Sequence, residues 1–110
     1  MYTDLTSFKE IAALHGLQAM IVWTDDASPD YFVALVPGPT EGVDVGIMIK
    51  RDGFTVTEAT DAAGLLDWED CTSIEAAAIG AIELYKQRCF EAGTPLIVRH
   101  SPLSHSEHSA

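Results

Sequence analysis

The sequence predicts an α+β fold in which an antiparallel sheet of three to five strands is flanked by a short N-terminal helix and a long C-terminal helix packed on one face. Three observations carry this prediction. Residues 43–50 alternate Val43, Val45, Ile47 and Ile49 on one side, and after Arg51, Asp52 and Gly53 the chain resumes with Phe54, Val56 and Glu58 sharing a face, as in a hairpin. Ile74, Ala77, Ala78, Ala81, Ile82, Tyr85 and Cys89 recur at the spacing of a helix that buries one stripe. Further apolar runs of strand length are separated by clusters of Gly, Pro and Asp.

The first helix rests on Ser7 and Glu10, at capping-box spacing, and on a stripe of Phe8, Ile11, Ala12 and Leu14; Asp4 offers an earlier start. His15 follows at the end where a helix dipole favours a cation, and Gly16 can stop the helix. Residues 17–24 (LQAMIVWT) form the first strand, followed by the turn residues DDASPD. Residues 31–36 (YFVALV) form the second, closed by Pro37, Gly38 and Pro39, with a loop running on to Gly42.

After the hairpin, residues 60–71 (TDAAGLLDWEDC) show no sustained period, so they read as a connecting segment with a helical turn at 62–66. Thr72 and Glu75 then have capping-box spacing, opening the long helix that Gly93 stops. Gly80 in its Ala-rich face would let it lie close against the sheet. Residues 96–98 can add a last strand. The chain divides into one domain over residues 1–100 and a small, polar tail over 101–110. On the sheet face away from the helices, Met48, Lys50, Thr55 and Thr57 are expected to meet solvent or a partner.

Charge narrows the partners. Seventeen acidic residues against six basic ones give a net charge of −11, which repels phosphate backbones and anionic membranes and favours basic protein surfaces. Asp52, Glu58, Asp61, Asp67, Glu69, Asp70, Glu75 and Glu83 lie between Arg51 and Lys86 with no Lys or Arg among them. No apolar run is long enough to cross a bilayer and no leader pattern opens the chain, so a cytoplasmic location is expected. Cys71 lies just before the long helix and Cys89 near its end, roughly 25 Å apart at 1.5 Å per residue, too far for a disulfide.

No catalytic or cofactor signature is present: GxGxxG, GxxxxGK[ST] and HExxH are absent, and neither cysteine has a local nucleophile motif. Asp25, Asp26 and Asp30 lack the ligand alternation and central Gly of a calcium loop. His100, Glu107, His105 and His108 sit in a Ser-rich tail without a scaffold to fix ligand geometry, so no metal is assigned. The residues that suit a partner are Glu58, Asp61, Asp67, Trp68, Glu69, Asp70 and Glu75. In LLDWED, Trp68 stands among carboxylates, able to anchor in a basic groove by cation–π contact and ion pairing. The competing role for Leu65, Leu66 and Trp68 is to cover the core.

The order of helix, strands and Ala-rich closing helix, SIEAAAIGAIELYKQR, resembles the double-stranded-RNA-binding domain, and its strands-plus-helix half is similar to HicB-type antitoxins. The RNA-binding family opens its closing helix with a basic cluster where this chain has Asp70, Thr72 and Glu75, so no RNA contact is implied. By size and charge the chain also resembles the small inhibitors of phages and mobile elements, anti-CRISPR proteins among them. That resemblance implies a stoichiometric, non-enzymatic protein that covers a basic, nucleic-acid-binding surface of its target. The alternative expectation is a small regulatory domain that self-associates through its sheet, its acidity serving solubility, so that the chain is a monomer or a homodimer.

Overall fold

The computed structural model describes residues 2–25, 27 and 30–93. Helix α1 (Tyr2–Leu14) leads into strands β1 (Gln18–Thr24), β2 (Tyr31–Thr40), β3 (Val43–Lys50), β4 (Gly53–Thr60) and β5 (Gly64–Cys71), and helix α2 (Ile74–Ala92) closes the order. The strands lie side by side in chain order, each antiparallel to the next. This is the expected α+β architecture with the sheet at its upper strand count.

The core lies between the sheet and the two helices. Phe8 and Ala12 of α1 and Ala19 of β1 belong to it, with Tyr31, Val33, Leu35, Val45, Ile47, Ile49 and Val56 of the central strands and the buried stripe of α2. On α2 the seven residues of the expected stripe, Ile74, Ala77, Ala78, Ala81, Ile82, Tyr85 and Cys89, are all buried. A Cβ on Gly80 would stand 3.0 Å from Val56 Cγ2, so this glycine sets how closely α2 approaches β4. A Cβ on Gly46 would run into the Val33 carbonyl of β2, so only glycine fits at that crossing of β3.

Several boundaries differ from expectation. Of the two starts the sequence offers for α1, the helix takes the earlier, beginning at Tyr2 with Asp4 in its first turn, where an acid is favourable, and not at Ser7. The cap of α2 is Ser73, whose hydroxyl accepts from the Ala76 N–H, rather than Thr72. Gly93 stops α2 in the left-handed conformation as expected. Strand β2 does not end at Val36 but continues to Thr40, with an irregular register between Leu35 and Thr40 that accommodates Pro37 and Pro39. The largest difference is residues 60–71, which hold strand β5 and not a helical turn.

The second face of the sheet is also less open than its alternation suggests. Phe32, Ala34 and Met48 form a small buried cluster there, and Thr55 and Thr57 are buried too, while Lys50 is half-buried. The threonines lose their exposure because carboxylates of β5 reach over them: the Thr55 hydroxyl donates to Asp70 Oδ1 at 2.8 Å, and the Thr57 hydroxyl lies within reach of Asp67 Oδ1 at 3.3 Å. The expected strand at 96–98, the polar tail and the tail histidines lie outside the described residues, as do Asp26, Ser28 and Pro29.

Candidate partner-binding edge

Strand β5 is made by its turn. Thr60 pairs with Gly64 around Asp61, Ala62 and Ala63; Gly64 adopts a left-handed φ of 73°, and the Ala63 N–H donates to Thr60 Oγ1. Gly64, which closes this three-residue loop and opens β5, takes a left-handed conformation that other residues resist. Among the described strands β5 pairs on one side alone, with β4, so its outer side is a sheet edge. Every residue from Gly64 to Asp70 is exposed.

A register shift opposite Val56 and Thr57 gives β5 a bulge at Trp68. The bulge decides which side each group faces. Asp67 and Asp70 lie on the second face, over Thr57 and Thr55, whereas Glu69 lies on the α2 side, its Oε1 3.4 Å from where a Gly80 Cβ would stand. Trp68 also lies on the α2 side, with its indole N–H donating to Glu58 Oε1 at 3.0 Å. A shallow groove of about 240 Å³ runs between Trp68 and Glu69 on β5 and Gly80 and Glu83 on α2.

The residues beneath Trp68 form a unit. Glu58 is 5% exposed, and both of its oxygens accept from Arg88, Oε2 from Nε at 2.8 Å and Oε1 from Nη2 at 3.1 Å. Arg88 continues to Glu91 through Nη1 at 2.9 Å, and its guanidinium stands 5.3 Å from the centre of the Trp68 ring. The paired guanidinium holds the Glu58 carboxyl below the usual glutamate range against the opposing effect of burial. A bidentate arginine on a buried carboxylate satisfies the charge that burial alone would make costly.

Of the seven residues expected to face a partner, Asp67, Trp68, Glu69 and Asp70 are brought together on β5 and Glu58 is turned inward beneath them. Asp61 and Glu75 are exposed near the two ends of this strand, Asp61 in the turn, where its N–H donates to the Gly42 carbonyl, and Glu75 in the first turn of α2. The acids therefore do not share one face; Asp67, Glu69 and Asp70 lie on both sides of one edge, about 24 Å long at the rise of an extended strand. Trp68 is 54% exposed, and Leu65 and Leu66 beside it are also exposed rather than covering the core. Sequence reasoning missed Arg88. Its signal was its place three residues after Tyr85, where the buried stripe of α2 continues.

Both cysteines are free. Burial pushes the Cys89 thiol up, and burial together with Glu69 and Asp70 does the same to Cys71, so both are shifted away from the thiolate form a nucleophile needs. Among the described residues no three His, Cys, Asp or Glu side chains converge as metal ligands, and no helix is long and apolar enough to cross a membrane. Compared with protein-family models, with curated proteins and with solved structures, the chain matches none.

Proposed function

We propose that this chain is a non-enzymatic interaction protein that uses the β5 edge to bind and block a basic protein surface, of the kind that handles nucleic acid. One observation carries the reading: an edge strand exposed along its length presents Leu65, Leu66 and Trp68 interleaved with Asp67, Glu69 and Asp70. Large apolar side chains exposed next to one another mark interaction sites more often than chance surface, and the carboxylates around them select a cationic partner. An edge also offers unpaired backbone groups, so a basic extended segment can add to the sheet while its Lys or Arg side chains meet acids on both sides of β5. The Glu58–Arg88 pair holds the indole in place before a partner arrives, which reduces the ordering cost of binding.

The test is capture from host lysate by immobilised wild type and by the Trp68→Ala and Asp67→Asn/Asp70→Asn variants, eluted with rising salt. The reading expects a basic, nucleic-acid-handling protein that leaves wild type at high salt. Trp68→Ala should weaken its binding by about 2 kcal/mol, and the double acid variant should slow its association. Equal capture by all three proteins would overturn the reading.

A further inference from the structure

The two edges of the sheet differ in charge. Strand β5 carries three carboxylates in eight residues, whereas β1, QAMIVWT, has no ionisable side chain. Among the described residues no strand pairs with the outer side of β1. Met20, Val22 and Trp23 are 51%, 44% and 41% exposed along it. Folded proteins usually guard an unpaired strand with charge, and β1 has none, so the N–H and C=O groups on its outer side, which no described strand pairs, are a template for another strand. The register shift falls between Ile21 and Trp23, so residues 18–21 keep regular strand geometry.

Charge identifies the strand that fits. With a net charge of −11, two copies repel wherever their acidic surfaces meet, and least where both surfaces are neutral. Four strand spacings separate β1 from β5, roughly 19 Å, about twice the screening length of roughly 8 Å at physiological salt. The β5 carboxylates therefore do not oppose contact at β1. Antiparallel pairing also carries the Asp25 ends of the two β1 strands to opposite ends of the shared ladder.

We propose that the chain forms a two-fold dimer by antiparallel pairing of β1 with β1 of a second copy, the axis passing near Met20. The product is a continuous ten-stranded sheet whose acidic β5 edges lie outermost. Met20 then stands opposite Met20 of the second copy, on the face where it neighbours Ala34. The dimer does not depend on the partner proposed for β5. If that partner exists, the dimer offers it two acidic edges on one particle.

The experiment is sedimentation velocity over a range of concentrations on the full chain, on Met20→Asp, on Met20→Lys, and on an equal mixture of the two variants. Wild type should run at twice the monomer mass and hold it at high salt. Each variant alone should shift to the monomer, with dissociation at least tenfold easier, and the mixture should recover the dimer through an Asp–Lys pair across the axis. Wild type that stays monomeric at every concentration overturns the proposal, as does a dimer indifferent to Met20→Asp, a mixture that does not recover, or a dimer broken by Leu65→Asp on the opposite edge. None of these readouts involves a basic partner, so failure here leaves the reading of β5 standing.

Discussion

Glu58 and Arg88 show how a single pair can be structural and still shape a surface. Glu58 shares its inward face with Phe54 and Val56, and Arg88 continues the buried stripe of α2, so two opposite charges occupy inward positions on neighbouring elements. Such groups must find each other, because an unpaired buried charge costs several kcal/mol. Arg88→Met is expected to lower unfolding free energy by about 3 kcal/mol in chemical denaturation. It should also free the Trp68 ring, visible as altered indole fluorescence. Because the folded-state pKa of Glu58 is depressed, its stabilising contribution is full above the ordinary glutamate range of about 4.3 and is lost as pH falls through the lower folded value. Acid titration of stability should therefore fall less steeply below pH about 4 in Arg88→Met than in wild type. Tyr85 behaves oppositely: burial raises its pKa to about 12, and its hydroxyl donates to the Pro37 carbonyl at 2.8 Å. Stability tied to it is full below about pH 10, the unfolded value, and declines as pH rises towards 12. Tyr85→Phe should remove that alkaline decline, while leaving the Pro37 carbonyl unpaired at a cost of about 1 to 2 kcal/mol at neutral pH.

At the scale of elements, what was legible depended on whether an element has a buried face. The stripe of α2 and the inward residues of the β3–β4 hairpin are each marked by a period that burial imposes: the structure buries the whole stripe and Val45, Ile47, Ile49, Val56 and Glu58, with Val43 and Phe54 half-buried at the strand ends. Strand β5 is exposed on both sides, so nothing selects apolar residues at every second position, and the bulge at Trp68 shifts what alternation remains by one. That is why LLDWED showed its composition without its conformation. The same bulge separates Asp67 from Glu69, so the candidate residues were legible as a cluster in the chain but not as two rows on either side of an edge. The α2 approach can be tested at Gly80: Gly80→Leu forces a side chain against Val56 and Glu69, and should destabilise the protein by about 1 to 3 kcal/mol, read as a lowered Tm. Gly80→Ala should cost far less, since a single methyl needs the Val56 side chain to move by only a few tenths of an ångström and alanine favours the helix.

For the whole molecule, the net charge of −11 works against the compact state. Seventeen acids against six bases repel one another in the compact state, and most lie where salt screens them, whereas Glu58–Arg88 is largely shielded. Thermal stability should therefore rise with added sodium chloride, and a Tm that falls instead would mean that exposed ion pairs outweigh the repulsion. The meander has a further consequence, for how quickly the chain finds its structure. Among the described residues, no two paired across strands are more than 18 positions apart, as between Gln18 and Val36 or Tyr31 and Ile49. Each hairpin can close before the next is made, so the entropy of loop closure is lost in small steps rather than in one long search. A sheet protein of this kind is expected to refold in milliseconds, nearer to mixed α/β domains than to the slow β-sandwiches. The exposed β1 edge would then meet a second copy only after the strands inside it are already paired.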